Sequence, residues 1–218
     1  MTGRVLSVNV GRPRVIGMRG GEPVTSGIAK APVAGPVAAG PNGLAGDGQA
    51  DLVNHGGADK AIYVLDRSDA GLWEDRLGRP LGPGAFGENL SIEGFPSTSV
   101  HVGDRFRIGA AEFEVTQPRV PCYKLGIHMG DERFPAAFAK ALRVGFYLRV
   151  IAPGAVTAGD AVVRTHTATT PLTIADLMGI YLTARDDAAR LEAVAALPAL
   201  SEAWRTQFAD LAAAARGR

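Results

Sequence analysis

Glycine and proline, 28 and 14 of 218 residues, fall so densely in the first two thirds of this chain that it can build short strands there but few long helices. Val5, Val8 and Val10 open the series, AIYVL at 61–65 is a compact apolar run, and RFRIGAAEFEVT alternates Phe106, Ile108, Phe113 and Val115 around Gly109, a pattern that predicts a hairpin. GFYLRVI puts Phe146, Leu148 and Val150 on one face, and AVVRT follows a Gly159-Asp160 turn. VHVGDRFRI from Val100 and VTAGDAVVR from Val156 both read strand, Gly-Asp turn, strand; nine residues do not make a repeat, and reuse of one hairpin geometry explains them. Many short strands separated by tight turns predict a β-barrel, because closure removes exposed strand edges. Two helices interrupt it: one after Ser68 as N-cap, with Leu72, Trp73 and Leu77 on a stripe and Gly78 ending it, and FPAAFAKAL at 134–142.

Around residue 166 the texture changes to the threonine-rich linker THTATTP, after which glycine becomes scarce. Thr173 can cap a helix with Asp176 at its third position and Ile174, Leu177, Met178, Tyr181 and Leu182 on one face. Asp186 or Asp187 can start a second helix that stops before Pro198, and Ser201 a third carrying Trp204, Phe208 and Leu211. The fold class is therefore mainly β with α: a β-barrel domain over 1–165 and a small three-helix unit over 166–218. A unit of that size has a marginal core of its own and is expected to dock on the barrel or on a partner.

Composition excludes several roles. Lys and Arg number 23 against 22 Asp and Glu, with no dense basic run, so nucleic acid is not an expected partner. No charged start leads into a long apolar h-region, and no stretch reaches the roughly 18 apolar residues of a membrane span, so no membrane association and a cytoplasmic location are expected. A single cysteine cannot close an internal disulfide, which agrees with a reducing compartment.

Four polar clusters lie between the strands: GLAGDGQAD from Gly43, NHGGADKA from Asn54, AFGENLS from Ala85, and QPRVPCYK from Gln117. Loops on a rigid scaffold commonly carry sites, although the glycines also serve tight turns. Asp47 and Asp51 could bind a metal or close Asx turns. His55 and Lys60 could face an anion such as a phosphate, and His55 could instead be a turn residue satisfied by backbone. His101, His128 and His166 carry no supporting pattern.

Cys122 can be an inert small hydrophobe, as lone cysteines often are. Its neighbours offer another role. Pro118 and Pro121 stiffen the segment, and Arg119 and Lys124 are cations close enough in sequence to favour thiolate. The four histidines show no short metal-ligand spacing, so a metal held by protein ligands alone is not expected. A soft metal could bind one thiolate if a cofactor supplied the other soft ligands; alternatively Cys122 could be a nucleophile with His55 as base.

Taken in order, GLAGDGQAD, HGGADKAIY, GAFGENLS, VHVGDRFRIGAAEFEVTQPRVPCYK and VGFYLRVIAPGAV resemble the MOSC domain, named for the C-terminal domain of molybdenum-cofactor sulfurases. The helical tail resembles the three-helix extension of the small bacterial YiiM-type members. The segment RPRVIGMRGGEPVTSGIAK looks like a variable entrance, and FPAAFAKAL matches no motif.

This resemblance implies a barrel-rich fold that binds the molybdenum cofactor, a pterin whose dithiolene holds molybdenum and whose phosphate needs cations. It places the family cysteine at Cys122, as molybdenum ligand and catalytic residue, and sets Arg119, Lys124, His55, Lys60 and Asn89 in the motif loops as candidate cofactor contacts. It implies an oxidoreductase that reduces N-hydroxylated compounds, such as hydroxylamino nucleobase analogues, with electrons from a separate redox protein. A non-catalytic carrier of the cofactor, or of sulfur as a Cys122 persulfide, is the alternative. The tail could dock a redox partner, cover the site or make a homodimer contact.

Overall fold

Strand and helix positions follow from where apolar residues can be hidden, and in the computed structural model they converge on a closed barrel. The structure describes residues 2–51 and 56–217. Its strands are β1 (Thr2–Val10), β2 (Arg14–Arg19), β3 (Glu22–Ser26), β4 (Ala31–Pro32), β5 (Val37–Gly40), β6 (Gly43–Leu44), β7 (Ile62–Asp66), β8 (Leu90–Glu93), β9 (Arg105–Ile108), β10 (Ala111–Pro118), β11 (Phe146–Ala152), β12 (Gly154–Val156) and β13 (Ala161–His166). The helices are α1 (Arg67–Leu77), α2 (Tyr123–Met129), α3 (Phe134–Lys140), α4 (Ile174–Thr183), α5 (Ala188–Ala195) and α6 (Glu202–Arg216), and Ala58–Lys60 forms a 3-10 turn.

Seven strands close the barrel in the order β1, β13, β9, β10, β11, β7, β8 and back to β1. Strand β4 adds to the far end of β1, β5 joins β6 and β12 in a small sheet, and β2 with β3 forms a separate hairpin. All the barrel pairings are antiparallel except β7 with β8. A parallel pair needs a crossover rather than a tight turn, and α1 lies on that crossover.

Period-two alternation fills the interior. Phe106 and Ile108 of β9, Phe113 and Val115 of β10, and Phe146 and Leu148 of β11 all point inward and are buried. Fully burying each such side chain contributes about 1.5–3 kcal/mol. Strand β7 is buried on both faces: Ile62 and Val64 join the barrel core, while Tyr63 and Leu65 pack outward with Trp73 of α1, Phe86, and Phe134 and Phe138 of α3. The segment FPAAFAKAL thus supplies the outer cover of β7, with Phe138 stacked on Trp73 at 5.4 Å between ring centroids.

The β9–β10 hairpin turns at Gly109, whose φ of +57° a side-chain-bearing residue rarely adopts. The two similar segments share one turn. Asp104 accepts a hydrogen bond from His101 N at 3.0 Å and Asp160 accepts one from Thr157 N at 2.7 Å, each with a positive-φ glycine just before the aspartate.

Helix α1 is capped by Asp66 rather than Ser68. The Asp66 Oδ1 accepts from Ser68 N at 2.9 Å and Ser68 Oγ at 2.7 Å, so the serine belongs to the first turn that the aspartate satisfies. In the tail, Thr173 and Asp176 form a reciprocal capping box, Asp187 caps α5 and Ser201 caps α6. Ile174, Leu177, Leu191, Val194, Trp204 and Phe208 of these helices are buried in the same apolar cluster as the barrel interior, so the tail docks on the barrel.

Candidate functional site

Strand β10 ends at Pro118, and the chain then crosses the barrel mouth through Arg119, Val120 and Pro121 before Cys122 takes the N-cap position of α2. Cys122 has extended backbone, φ −120° and ψ 174°, as a residue following proline at a helix entry can adopt, and it makes no side-chain capping bond and no disulfide. It opens onto a cleft between the loops at the barrel mouth. Arg119, Val120 and Lys124 of the same segment line it, together with Ser26 to Ile28 and Lys30, Gln49 to Asp51, Gly87, Asn89, Tyr63 and Tyr147.

Arg119 is a buried cation in the cleft. The residue is 6% exposed, and its guanidinium carbon lies 5.4 Å from the Tyr63 ring centroid and 5.6 Å from that of Phe138. Its guanidinium hydrogen-bonds the Tyr147 phenol, but Nη1 is buried with no hydrogen-bond partner. Cation–π contact recovers about 0.5–2 kcal/mol, whereas an unpaired buried donor costs about 1–3 kcal/mol or more when charged. An anion received in the cleft would remove that deficit. Burial holds the Tyr147 phenol above its ordinary value, with Arg119 partly opposing, and holds the Tyr63 phenol above its own. Both phenols therefore stay protonated, and Tyr63 donates to Val144 O at 2.9 Å.

Asn89 lines the cleft, but its amide serves the frame. Its Oδ1 accepts from Tyr63 N at 3.1 Å, and its Nδ2 donates to Asp47 Oδ2 at 2.8 Å and to Asn9 O at 3.3 Å. Asp47 also accepts from Gly11 N at 2.8 Å and ion-pairs with Lys30 in a pair whose side chains are 3% and 6% exposed. Burial pulls Lys30 below its ordinary range and Asp47 opposes the shift. Of the two aspartates in GLAGDGQAD, Asp47 is thus a strut between loops, and Asp51 lies on the cleft wall. Glu88 is buried and held above the ordinary carboxylate range by desolvation; it gathers Gly84 N, Phe86 N and Ser91 Oγ and so shapes the GENL loop.

The structure therefore brings Cys122, Arg119, Lys124 and Asn89 to one cleft. Lys60 lines an adjoining cavity that shares Val120 and Tyr147 with it, and burial lowers its ammonium below the usual lysine range against the charges of Asp51 and Asp59. His55 lies outside the described residues. Among the described residues no cluster of three or more His, Cys, Asp or Glu side chains is placed to hold a metal.

Sequence reasoning missed Lys30, Tyr63 and Tyr147. Lys30 ends the segment that looks like a variable entrance, and its only sequence signal is a lysine three residues after a glycine in SGIAK. The tyrosines look like ordinary strand aromatics until β7 and β11 pair, with Tyr63 opposite Tyr147. Asp59 was also missed. It pairs with Arg149 of β11 at 3.0 Å and accepts from Glu202 N at 3.2 Å, tying the HGGADK turn to the start of α6.

Comparison with known proteins matches residues 51–163 to the MOSC domain and residues 172–212 to the YiiM-like, 3-alpha helix domain. YflK of Bacillus subtilis is 36% identical over 204 residues, covering 94% of this chain and 92% of that protein. A protein of Gibberella moniliformis named a reductase is 32% identical over 169 residues, 73% of this chain but 29% of that longer protein. The crystal structure of YiiM from Geobacillus stearothermophilus is 36% identical and superposes with a TM-score of 0.82 over 96% of this chain and 99% of that one. With its closed barrel, its cysteine at the barrel mouth and its docked helical tail, the chain belongs to the MOSC domain family and carries a YiiM-like three-helix domain.

Proposed function

We propose that this protein is an oxidoreductase that binds the molybdenum cofactor in the Cys122 cleft and reduces N-hydroxylated compounds. The observation that carries the reading is the buried Arg119 guanidinium, with Nη1 unpaired, in the same cleft as the single thiol. Those residues fit the group. Arg119 and Lys124 suit its phosphate, Cys122 offers one sulfur ligand, and a protein with one cysteine needs the remaining soft ligands from the cofactor itself. Membership of the MOSC family and the likeness to a protein named a reductase support the same direction.

When bound, the cofactor supplies a two-electron redox centre. The chain's residues do the rest. Arg119 and Lys124 neutralise and orient the anionic end, and the Tyr63 and Tyr147 rings wall the cleft. Tyr147, kept protonated by burial, holds a hydrogen-bonding proton at Oη beside the thiol segment. Overall, the N–O bond breaks, the nitrogen gains a hydrogen, the oxygen leaves as water, and two electrons and two protons enter. The electrons come from a separate redox protein, since no flavin or nicotinamide fingerprint is evident in the sequence.

The test is turnover of an N-hydroxylated compound with an artificial electron donor, using protein made in a cofactor-competent host. Multiple turnovers that fall at least about 100-fold in Cys122→Ala are expected, a barrier increase of about 2.7 kcal/mol. Transfer of cofactor or sulfur to an acceptor, in one equivalent and without turnover, would replace this reading with that of a carrier.

A further inference from the structure

Tyr147 stands where two spaces meet. It lines both the Cys122 cleft and the adjoining cavity toward the helical tail, and of the two residues common to them, Val120 and Tyr147, only the tyrosine carries a proton that can be transferred. Its phenol lies close enough to Cys122 for the charge of the sulfur to act on it.

Three strands fix the position. Between Val115 and Gln117, β10 carries a register shift against β11, an irregularity of the kind that re-aims side chains beside a site. The extra residue, Thr116, donates its hydroxyl to Asp59 O at 2.6 Å and sits 3.2 Å from Tyr147 O, so β11 is held at Tyr147 itself. On the other side β7 places Tyr63 opposite, with ring centroids 5.5 Å apart. The two phenols differ in the use of their hydrogen. Tyr63 donates to Val144 O at 2.9 Å and is committed there. Tyr147 accepts from the Arg119 guanidinium, and among the described residues no acceptor takes its own proton. A phenol that only accepts keeps a donor for whatever occupies the cleft.

We propose that Tyr147 is the catalytic proton donor to the departing oxygen, with Arg119 steadying the phenolate that results. This rests on the reductase reading of the Cys122 cleft. As the N–O bond breaks and two electrons enter, the phenol O–H bond also breaks and its proton goes to the oxygen, which leaves as water. The nitrogen takes the second proton from solvent. The phenolate pairs with the Arg119 guanidinium and regains a proton from water in the adjoining cavity, which Lys60 also lines.

Full-length protein carrying its cofactor is assayed, as wild type and Tyr147→Phe, with benzamidoxime and with its O-acetyl ester, whose leaving acetate needs no proton. Phenylalanine keeps the ring against Tyr63, and rates are expressed per bound molybdenum, so loss of cofactor cannot imitate the effect. The ratio of kcat for the parent compound to kcat for the ester is expected to fall about 100-fold in Tyr147→Phe, with KM little changed. Calorimetry without an electron donor compares benzamidoxime with benzamidine, which lacks the oxygen. The preference for the oxygenated compound is expected to drop about fivefold in Tyr147→Phe, the size of one hydrogen bond. A kcat ratio unchanged in an active Tyr147→Phe protein overturns the role of Tyr147 alone, and an unchanged binding preference counts against it too. Wild type that turns over neither compound sinks the reductase reading, and the proton transfer with it.

Discussion

His128 shows how single residues around the cleft acquire their chemistry from burial. Desolvation holds its imidazole below the ordinary 6.5, and the charges of Arg14 and Arg119 add to the shift against a hydrogen bond to the Ala85 backbone. A base with a lowered folded pKa contributes stability that is complete above its unfolded value and is lost as pH falls through it toward the folded value. The urea midpoint is therefore expected to drop as pH goes below about 6.5, and His128→Gln to flatten that dependence. An unchanged slope would place the acid sensitivity elsewhere. At this scale the sequence showed Cys122, Arg119 and Lys124 as one group because they are chain neighbours. Their partners Tyr63, Tyr147 and Lys30 come from distant elements, and nothing local marks them. Asn89, expected as a cofactor contact, lines the cleft with its amide hydrogen-bonded to Tyr63 N, Asp47 and Asn9 O.

At the scale of elements, legibility depended on whether a signal was local. Caps such as Thr173 and Ser201, and the shared Gly-Asp turns, bond within a few residues, so their sequences alone specify them. The AIYVL run was readable as a strand, but burial on both faces requires α1 and α3 to cover it, and that is tertiary information. The segment RPRVIGMRGGEPVTSGIAK looks variable because the purpose of its end lies across the molecule, in the Lys30–Asp47 pair that joins it to GLAGDGQAD and, through Gly11 N, to the end of β1. Removing one member of a buried pair leaves the other uncompensated, at a cost of about 3–5 kcal/mol. Asp47→Ala strips Lys30, Gly11 N and Asn89 of an acceptor, whereas Lys30→Met leaves Asp47 two donors. Chemical denaturation is expected to show Asp47→Ala costing about 3–5 kcal/mol and Lys30→Met distinctly less. Equal losses would mean the carboxylate has no structural role beyond the ion pair.

For the whole molecule, closing β1 on β13 removes the edges of the sheet and leaves one mouth where the β10–α2 crossing, the GENL loop and the loop after β3 meet. The barrel was foreseeable from strand length and turn density. That the tail would dock on the barrel or on a partner followed from its marginal size, but where it docks did not, because α6 is fastened through Asp59 and Thr116, far away in sequence. The proposed hold of the cleft on the molybdenum cofactor rests on Cys122 and Arg119. Molybdenum and pterin content, measured on protein purified from a cofactor-competent host, tests it most directly. Near-stoichiometric molybdenum is expected in the wild type, with loss in Cys122→Ala. For Arg119→Gln, loss of a charge-assisted contact of about 1.5–3 kcal/mol should weaken retention roughly 10- to 100-fold. Equal molybdenum in all three proteins, or none in the wild type, would contradict it.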